Sequence, residues 1–308
     1  MSAEAQRARE AKAGAGLIGT AFLWGTMIAF TGTLLHTYDP FVIAAARYVL
    51  AVPTLVFLVW WLERDRRPTG PLPVMKVLAL GGIGMTGFAT CYTYGILWSD
   101  PITAAAIIAL NPVVSVAMNW VLERVATPWK LLPGTLLATA GAVIVGLGKP
   151  SAGGPGLAGG EILLLVGAVI WIWYSVKAQT WLAGSGLSQL RLSALTTGVG
   201  AAGLVVVLFA SAALGHTHLP DSWPTPFATA QFLWIGVLST AAAIAIWNAG
   251  VSVLGVGVAS LFGNLAPVFA VSISVALGTE PNMAQLAGGA VVIAGVLWVQ
   301  LLKLKGAA

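Results

Sequence analysis

Apolar stretches of about twenty residues, with few or no charged side chains, recur along almost the whole sequence. A helix of that length crosses a hydrocarbon core about 30 Å thick. Only 8% of the 308 residues are charged and 58% are apolar, whereas a typical soluble domain carries roughly 25% charged residues. The sequence therefore predicts an all-α integral membrane protein and excludes a soluble domain.

Proline, glycine and charged clusters divide the apolar sequence into ten predicted transmembrane helices. These spans cover residues 14–34, 41–62, 73–98, 101–121, 130–148, 160–182, 187–211, 227–250, 256–277 and 282–302. The least marked division lies between the eighth and ninth spans, in VSVLGVGVAS, which offers glycines but no charge. The first apolar run is too long for a cleavable signal, so we expect it to be retained as the first span.

Lysine and arginine predict the orientation of the helices, because they collect near the cytoplasmic ends of spans. With the amino terminus inside, Lys149 is the exception among the basic residues near span ends, and Arg47 lies within the second span. An odd number of spans would break this asymmetry, so both termini are predicted to be cytoplasmic. The net charge of +5 follows from topology and gives no reason to expect a nucleic-acid partner.

One pattern occurs twice in the chain. AAAIIALNPVVSVAMNWVLE ends at Glu123, and VASLFGNLAPVFAVSISVALGTE ends at Glu280. Each has small residues, an asparagine close to a proline, an apolar run and a glutamate at the membrane edge. A second match pairs LIGTAFLW, which ends at Trp24, with LLVGAVIW, which ends at Trp171. Because each half has five spans, an odd number, the two halves are predicted to be inverted repeats, as in many transporters.

These features give a domain organisation of two halves with short polar segments around them. We expect a cytoplasmic amino-terminal segment, a first five-helix repeat, a linker, a second five-helix repeat and a cytoplasmic tail. The predicted boundaries are 1–13, 14–148, 149–159, 160–303 and 304–308.

Several short motifs carry a family resemblance that covers nearly the whole chain. They are LIGTAFLWG, DPFVIAAARYVLA, TAAAIIALNPVV and GTLLATAGAVIVG in the first half, and VASLFGNLAPVFA and GGAVVIAGVLW in the second. In this order the chain resembles the drug/metabolite transporter superfamily, in its ten-helix, duplicated, EamA-like form. SDPIT at 99–103 departs from the family pattern. The resemblance implies a carrier of small polar or amphiphilic metabolites, nearest to the amino-acid and metabolite exporters.

Two prolines lie near the middle of predicted spans four and nine, at the same place in the two repeats. Pro112 follows Asn111, and Pro267 follows Asn264 by three positions. Proline removes a helical hydrogen bond, and a break within the membrane persists where protein or a water-filled cavity surrounds it. We expect the prolines to act as hinges and the asparagines to line a central cavity. The alternative is that they bend and tie packed helices.

Aromatic residues that lie deep or on repeat-matched motifs are further candidates for substrate binding. They are Trp24, Tyr94, Trp171, Tyr174 and Trp247. An aromatic cage suits planar or cationic solutes, with about 0.5–2 kcal/mol for each cation–π contact. Packing against lipid or the core is the alternative for each ring.

Arg47 is the one clear charge inside a predicted span, where an ionisable group costs at least about 2.5–3.5 kcal/mol. It is a candidate to bind a substrate carboxylate. The alternatives are an ion pair with Asp39, Asp100 or Glu161, or a side chain that reaches the membrane surface. Because no span carries Asp or Glu at mid-depth, facilitated transport is favoured over proton antiport. The edge glutamates Glu123 and Glu280 are expected to cap or tether helix ends.

The sequence predicts a carrier and not an enzyme, since it has no hydrolase or metalloprotease motif. We expect alternating-access transport of amino acids, aromatic ones included, and related metabolites across a bacterial inner membrane, as an exporter or facilitator. The alternatives are phosphorylated solutes such as nucleotide sugars, organic cations or drugs, or an intramembrane enzyme or lipid-handling protein. No cofactor or metal is expected. Membrane lipids and a small-molecule substrate are the expected partners, for a monomer or a homodimer.

The predicted topology can be tested with reporter fusions. Green fluorescent protein fused after Ala308 should fluoresce, and alkaline phosphatase fused there should be inactive, because phosphatase needs disulfides that form outside the cytoplasm. The same reporters inserted after Pro150 should give the opposite result. Active phosphatase at the carboxyl terminus would contradict the even number of spans.

Overall fold

The computed structural model of the protein describes residues 3–65, 70–98, 107, 110–125, 128–147, 160–276 and 281–304. All regular secondary structure in these ranges is helical. The prediction of an all-α protein is therefore confirmed.

The first half begins with two long helices, α1 (Ala3–Leu34) and α2 (Pro40–Glu63). Asp39 caps α2, because its carboxylate accepts a hydrogen bond of 2.9 Å from the backbone N–H of Phe41. The rest of the half comprises α3 (Val74–Ala79), a first π segment (Leu80–Gly87), α4 (Phe88–Leu97), α5 (Asn111–Glu123), a 3₁₀ turn (Trp129–Leu131) and α6 (Leu132–Leu147).

The second half repeats this order of elements. It comprises α7 (Gly160–Trp181), α8 (Gln189–Ala213), α9 (Pro226–Leu233), a second π segment (Trp234–Ala242), α10 (Ala243–Leu254), α11 (Val256–Gly263), α12 (Leu265–Ala276) and α13 (Met283–Leu304). Ser188 and Thr225 cap α8 and α9 through their side-chain oxygens.

Seven helical stretches within the described ranges are long and apolar enough to cross a membrane. Two shorter apolar helices, Trp129–Val145 and Met283–Val299, accompany them. The fourth predicted span extends from α5 into residues outside the described ranges. An integral membrane protein is thus established, and a count of ten spans stays a prediction.

Helix breaks fall at the positions that the sequence marks with glycine, asparagine and proline. Gly255 separates α10 from α11 with φ of 79°, a left-handed conformation that glycine adopts without a steric penalty. Asn264 separates α11 from α12. Pro112 and Pro267 are the second and third residues of α5 and α12. Both prolines lie in first turns, where the missing N–H has no helical partner to lose, so they begin helical segments.

The two halves interdigitate through contacts that occur in equivalent pairs. Helix α1 packs on α10 as α7 packs on α4, and α1 packs on α12 as α7 packs on α5. In the same way α2 packs on the second π segment and α8 on the first. A further pair, α6 with α13, joins equivalent helices to each other, and α5 packs on α11, which belongs to the predicted span equivalent to its own. These pairs relate the halves by an approximate two-fold axis.

Small residues make the closest of these approaches possible. A methyl group on Gly95 would lie 2.6 Å from Leu164 of α7, and one on Gly250 would lie 2.7 Å from Leu17 of α1. In the α6–α13 pair, four glycines likewise face the backbone of the other helix: Gly134, Gly141, Gly288 and Gly295. Small residues allow membrane helices to approach this closely, and here they do so at equivalent places in both halves.

Two ion pairs tie the halves together near the predicted cytoplasmic ends of helices. Arg191 Nε lies 2.9 Å from Glu63 Oε2, and Lys177 Nζ lies 2.6 Å from Glu123 Oε1. The Glu63 carboxylate also accepts a hydrogen bond from the Ser188 hydroxyl at 2.7 Å. Glu123 therefore tethers α5 to α7, as expected from the sequence, whereas Glu280 lies outside the described residues.

A glycine within the α6–α13 contact and a glycine with open space beside it on α8 should respond differently to replacement by alanine. In Gly141→Ala the new methyl group would lie 2.5 Å from the backbone nitrogen of Val292, so the change should destabilise the protein by about 1–3 kcal/mol. In Gly198→Ala the methyl group meets nothing within 4 Å, so higher helix propensity should leave stability unchanged or raised. Thermal unfolding in detergent measures both. Equal melting temperatures for the two variants would contradict the close contact.

Candidate functional site

Three tryptophans from three helices meet in the interior of the protein. The ring centroids of Trp24 and Trp247 lie 5.2 Å apart, those of Trp24 and Trp171 5.9 Å, and those of Trp171 and Trp247 5.8 Å. Trp171 and Trp247 are 7% and 2% exposed. We call Trp24, Trp171 and Trp247 the tryptophan cluster. It joins α1 of the first half to α7 and α10 of the second.

Two more aromatic rings extend the cluster on the Trp171 side. Tyr174 stacks on Trp171 at 5.6 Å with an interplanar angle of 30°, and Phe88 lies 5.0 Å from Trp171. Tyr174 is fully buried. The structure thus brings together four of the five predicted aromatic candidates.

Hydrogen bonds fix the orientation of the rings. The indole N–H of Trp247 donates to Ser175 Oγ at 3.1 Å, and the Ser175 hydroxyl donates to the backbone oxygen of Trp171 at 2.9 Å. A buried indole normally needs such an acceptor. Ser175 therefore holds α10 against α7 at the level of the cluster.

A buried polar network continues from the cluster between α7, α8 and α10. The Asn248 side-chain amide donates to the Tyr174 hydroxyl oxygen at 2.9 Å and to Ser193 Oγ at 2.8 Å. Tyr174 in turn contacts Thr196 Oγ1 at 3.2 Å. Asn248, Ser193 and Thr196 are all fully buried. The network thus places four hydrogen-bonded polar side chains between these three helices, next to the tryptophan cluster.

Arg47 occupies a partly buried position on α2. Its Nη1 lies 2.8 Å from the sulfur of Met27, and its guanidinium carbon lies 5.1 Å from the ring centroid of Tyr48. Its buried Nε has no hydrogen-bond partner among the residues that the structure describes. No ion pair between described residues includes Arg47, and the carboxylate of Asp39 is used as the cap of α2. Asp100 lies outside the described residues.

The two halves place equivalent residues on either side of the tryptophan cluster. Trp24 and Trp171 end the matched motifs of the two repeats, and they touch each other across the approximate axis. The residue three positions after each tryptophan contacts a polar residue of the following long helix. Met27 contacts Arg47 of α2, and Tyr174 contacts Thr196 of α8.

The remaining predicted residues lie at other contacts. Tyr94 packs on Phe41 with ring centroids 4.5 Å apart, and its hydroxyl lies 3.4 Å from Ser211 Oγ. Asn111 has a buried Oδ1 for which the described part of the chain offers no hydrogen-bond partner. Asn264 is 4% exposed at the junction of α11 and α12.

The breaks themselves are joined by a serine pair. Ser115 Oγ lies 2.9 Å from Ser260 Oγ and also donates to the backbone oxygen of Pro112 at 2.7 Å. This contact links α5 to α11 between the two halves.

Sequence reasoning missed Asn248, Ser175, Ser193 and Thr196. A signal for Asn248 was present, because an amide side chain directly after Trp247 is unusual within an apolar span. The serines and threonine carried no such signal, since single hydroxyls are common in membrane helices and form local hydrogen bonds there.

Comparison with known proteins supports a transporter. A model of the EamA-like transporter family matches residues 12–147 and again residues 158–301. "Uncharacterized transporter YyaM" of Bacillus subtilis is 25% identical, with 91% of each chain covered. "Probable terminal-alkyne amino-acid exporter" of Streptantibioticus cattleyicolor is 25% identical, with 92% of this chain and 91% of that protein covered.

A solved crystal structure shares the fold, with a TM-score of 0.79, 21% identity, and coverage of 97% of this chain and 99% of that chain. The protein is an integral membrane transporter of small molecules and not an enzyme. It belongs to the EamA-like transporter family, within the drug/metabolite transporter superfamily. The resemblance inferred from the sequence is confirmed.

The polar network predicts a cost for removing one hydroxyl. Tyr174→Phe removes the acceptor for one of the two N–H groups of the Asn248 amide, which has its other bond to Ser193, and removes the contact with Thr196. One buried N–H is then left without an acceptor, so the change should lower the free energy of unfolding by about 1–3 kcal/mol. Tyr38→Phe is the matched control, because the Tyr38 ring packs on Phe232 and its hydroxyl has no hydrogen bond within the described part of the chain. Thermal unfolding in detergent compares them. Equal stability would mean that the network contributes nothing.

Proposed function

We propose that the protein carries amino acids with apolar or aromatic side chains, and related small metabolites, across a bacterial plasma membrane. It works by alternating access, as an exporter or facilitator. The observation that carries this proposal is the tryptophan cluster, with Arg47 and its unpartnered guanidinium nitrogen on the neighbouring helix.

Arg47 supports a substrate that bears a carboxylate. A buried guanidinium without a counter-charge is costly within a membrane, and carboxylates match its planar donor geometry. Its contacts with Met27 sulfur and the Tyr48 ring are weak substitutes for an anion. A substrate carboxylate supplies the missing partner.

The cluster supports an apolar or aromatic group at the other end of the substrate. Aromatic rings offer stacking and cation–π contacts and few groups that hydrogen-bond. The name of the Streptantibioticus cattleyicolor relative, an amino-acid exporter, agrees with this chemistry. Phosphorylated solutes fit less well, because phosphate recognition uses several Arg or Lys side chains. Organic cations are the second candidate, since the rings can bind a cation.

The paired packing of the two halves supports the alternating-access mechanism. Interfaces that occur in equivalent pairs can exchange roles when one half rocks against the other. The breaks at the starts of α5 and α12 supply the hinges at Pro112 and Pro267. In this proposal the repeats correspond to residues 14–148 and 160–303, both termini are cytoplasmic, and the functional unit is a monomer or a homodimer.

Uptake into liposomes that contain the purified protein tests the proposal. Radiolabelled phenylalanine, tryptophan and leucine should enter with saturable kinetics, and a pH gradient should leave the initial rate unchanged, because no carboxylate was found at mid-depth to carry a proton. Organic cations in parallel assays test the second candidate. Absence of uptake for every amino acid, with uptake of a cation, would overturn the amino-acid assignment.

Two variants test whether the tryptophan cluster binds the substrate. One removes a tryptophan of the cluster, and the other removes a tryptophan outside it as a control. Trp171→Ala should raise the KM for phenylalanine by about 2–30-fold, which corresponds to about 0.5–2 kcal/mol of lost aromatic contact. Trp60→Ala removes a ring that is 61% exposed on α2 and should leave KM unchanged. Initial-rate uptake measures both. An unchanged KM in Trp171→Ala would remove the cluster from the binding site.

A further inference from the structure

The protons of the buried network can be assigned one at a time. The Thr196 hydroxyl donates to the backbone oxygen of Leu192 at 2.9 Å, and the Ser193 hydroxyl donates to that of Gln189 at 2.8 Å. Since the Thr196 proton is used, the Tyr174 hydroxyl is the donor in its contact with Thr196. The oxygens of Tyr174 and Ser193 therefore remain as acceptors.

These assignments leave one orientation for the Asn248 side chain. Both neighbouring hydroxyl oxygens need donors, and the amide NH₂ supplies its two protons to them. The network thus settles the choice between amide nitrogen and oxygen, which otherwise has to be assigned by hydrogen-bond analysis. The side-chain oxygen of Asn248 is left pointing away from Tyr174 and Ser193.

This oxygen is a buried acceptor without a donor. Asn248 is fully buried, and its Oδ1 has no hydrogen-bond partner within the described ranges of the chain. Buried acceptors in folded proteins are nearly always paired. Two hydrogen bonds hold the amide in place, so the oxygen is oriented in advance to receive an N–H group.

The position of this acceptor relates it to the tryptophan cluster. Asn248 directly follows Trp247, and its partner Tyr174 stacks on Trp171. The network lies at the place in the second half that Arg47 occupies in the first, because Thr196 and Arg47 hold equivalent contacts. An unpartnered donor therefore flanks the cluster on one side, and an unpartnered acceptor flanks it on the other.

We propose that Asn248 determines specificity by accepting a hydrogen bond from the free α-ammonium group of the substrate through its side-chain oxygen. The inference rests on the proposed function. It extends that function by requiring a free amino group in addition to the carboxylate and the apolar side chain. Phenylalanine meets all three requirements, whereas 3-phenylpropionate lacks the amine and N-acetylphenylalanine lacks its charge.

Competition experiments with the full-length protein in liposomes test this requirement. Uptake of radiolabelled phenylalanine is measured against unlabelled phenylalanine, 3-phenylpropionate and N-acetylphenylalanine. For the wild-type protein we expect phenylalanine to compete at least tenfold better than either analogue. Equal competition by 3-phenylpropionate would overturn the inference without any variant.

Variants then locate the discrimination at Asn248. Asn248→Ala should raise the KM for phenylalanine about tenfold, leave inhibition by 3-phenylpropionate unchanged, and so abolish the preference. Ser252→Ala is the matched control, since Ser252 is exposed on the same helix and its hydroxyl donates to the backbone oxygen of Ala249. A preference retained in Asn248→Ala would overturn the inference, as would one lost in Ser252→Ala.

A second variant decides the case in which Asn248→Ala does not fold. Asn248→Gln keeps both amide donors and an acceptor oxygen, so phenylalanine should remain a better competitor than 3-phenylpropionate, and loss of the preference would contradict the inference. Wild-type protein that transports no amino acid fails the proposed function itself. That result is distinct from amino-acid transport that does not depend on Asn248.

Discussion

The hydrocarbon core of a membrane offers no hydrogen-bond partner to a backbone N–H or C=O group, and the architecture of this transporter follows from that constraint. Helices satisfy the backbone within themselves, so the described chain is helical wherever it has regular structure. Interruptions are tolerated where other parts of the protein can supply partners. Where α5 begins, the Ser115 hydroxyl contacts Ser260 of the other half and ties the interrupted span to a neighbouring helix.

The two halves share a scaffold but differ in the chemistry they place around the tryptophan cluster. Equivalent contacts bring Arg47 to Met27 on one side and Thr196 to Tyr174 on the other. One side therefore holds a charged donor and the other a network of neutral hydroxyls and an amide. A symmetric scaffold can rock between two states. The different side chains on its two sides suit a substrate whose two ends differ in charge and hydrogen bonding.

The sequence was sufficient for the fold class, the family and the aromatic candidates that meet in the cluster, because hydrophobic length and repeated motifs are local properties. It also marked Gly255 as a break, since glycine accommodates the positive φ found there. Tyr94 was grouped with the other rings on depth alone, and it packs on Phe41 instead. Asn248 was missed because its role depends on the hydroxyl groups around it. The Ser193 and Thr196 hydroxyls already donate to backbone oxygens, which only the three-dimensional structure shows.

The sequence analysis did not predict the π segments. Each half has one in the middle of its third membrane span, between α3 and α4 in the first half and between α9 and α10 in the second. Their sequences, LGGIGMTG and WIGVLSTAA, each place a glycine against the second helix of the other half. Gly81 faces Thr196 and Val199 of α8, and Gly236 faces Arg47 and Leu50 of α2. A π turn widens the helix and turns the following face relative to the preceding one. The widened turns therefore change the direction of the helix at the two interfaces that would have to slide when one half moves against the other.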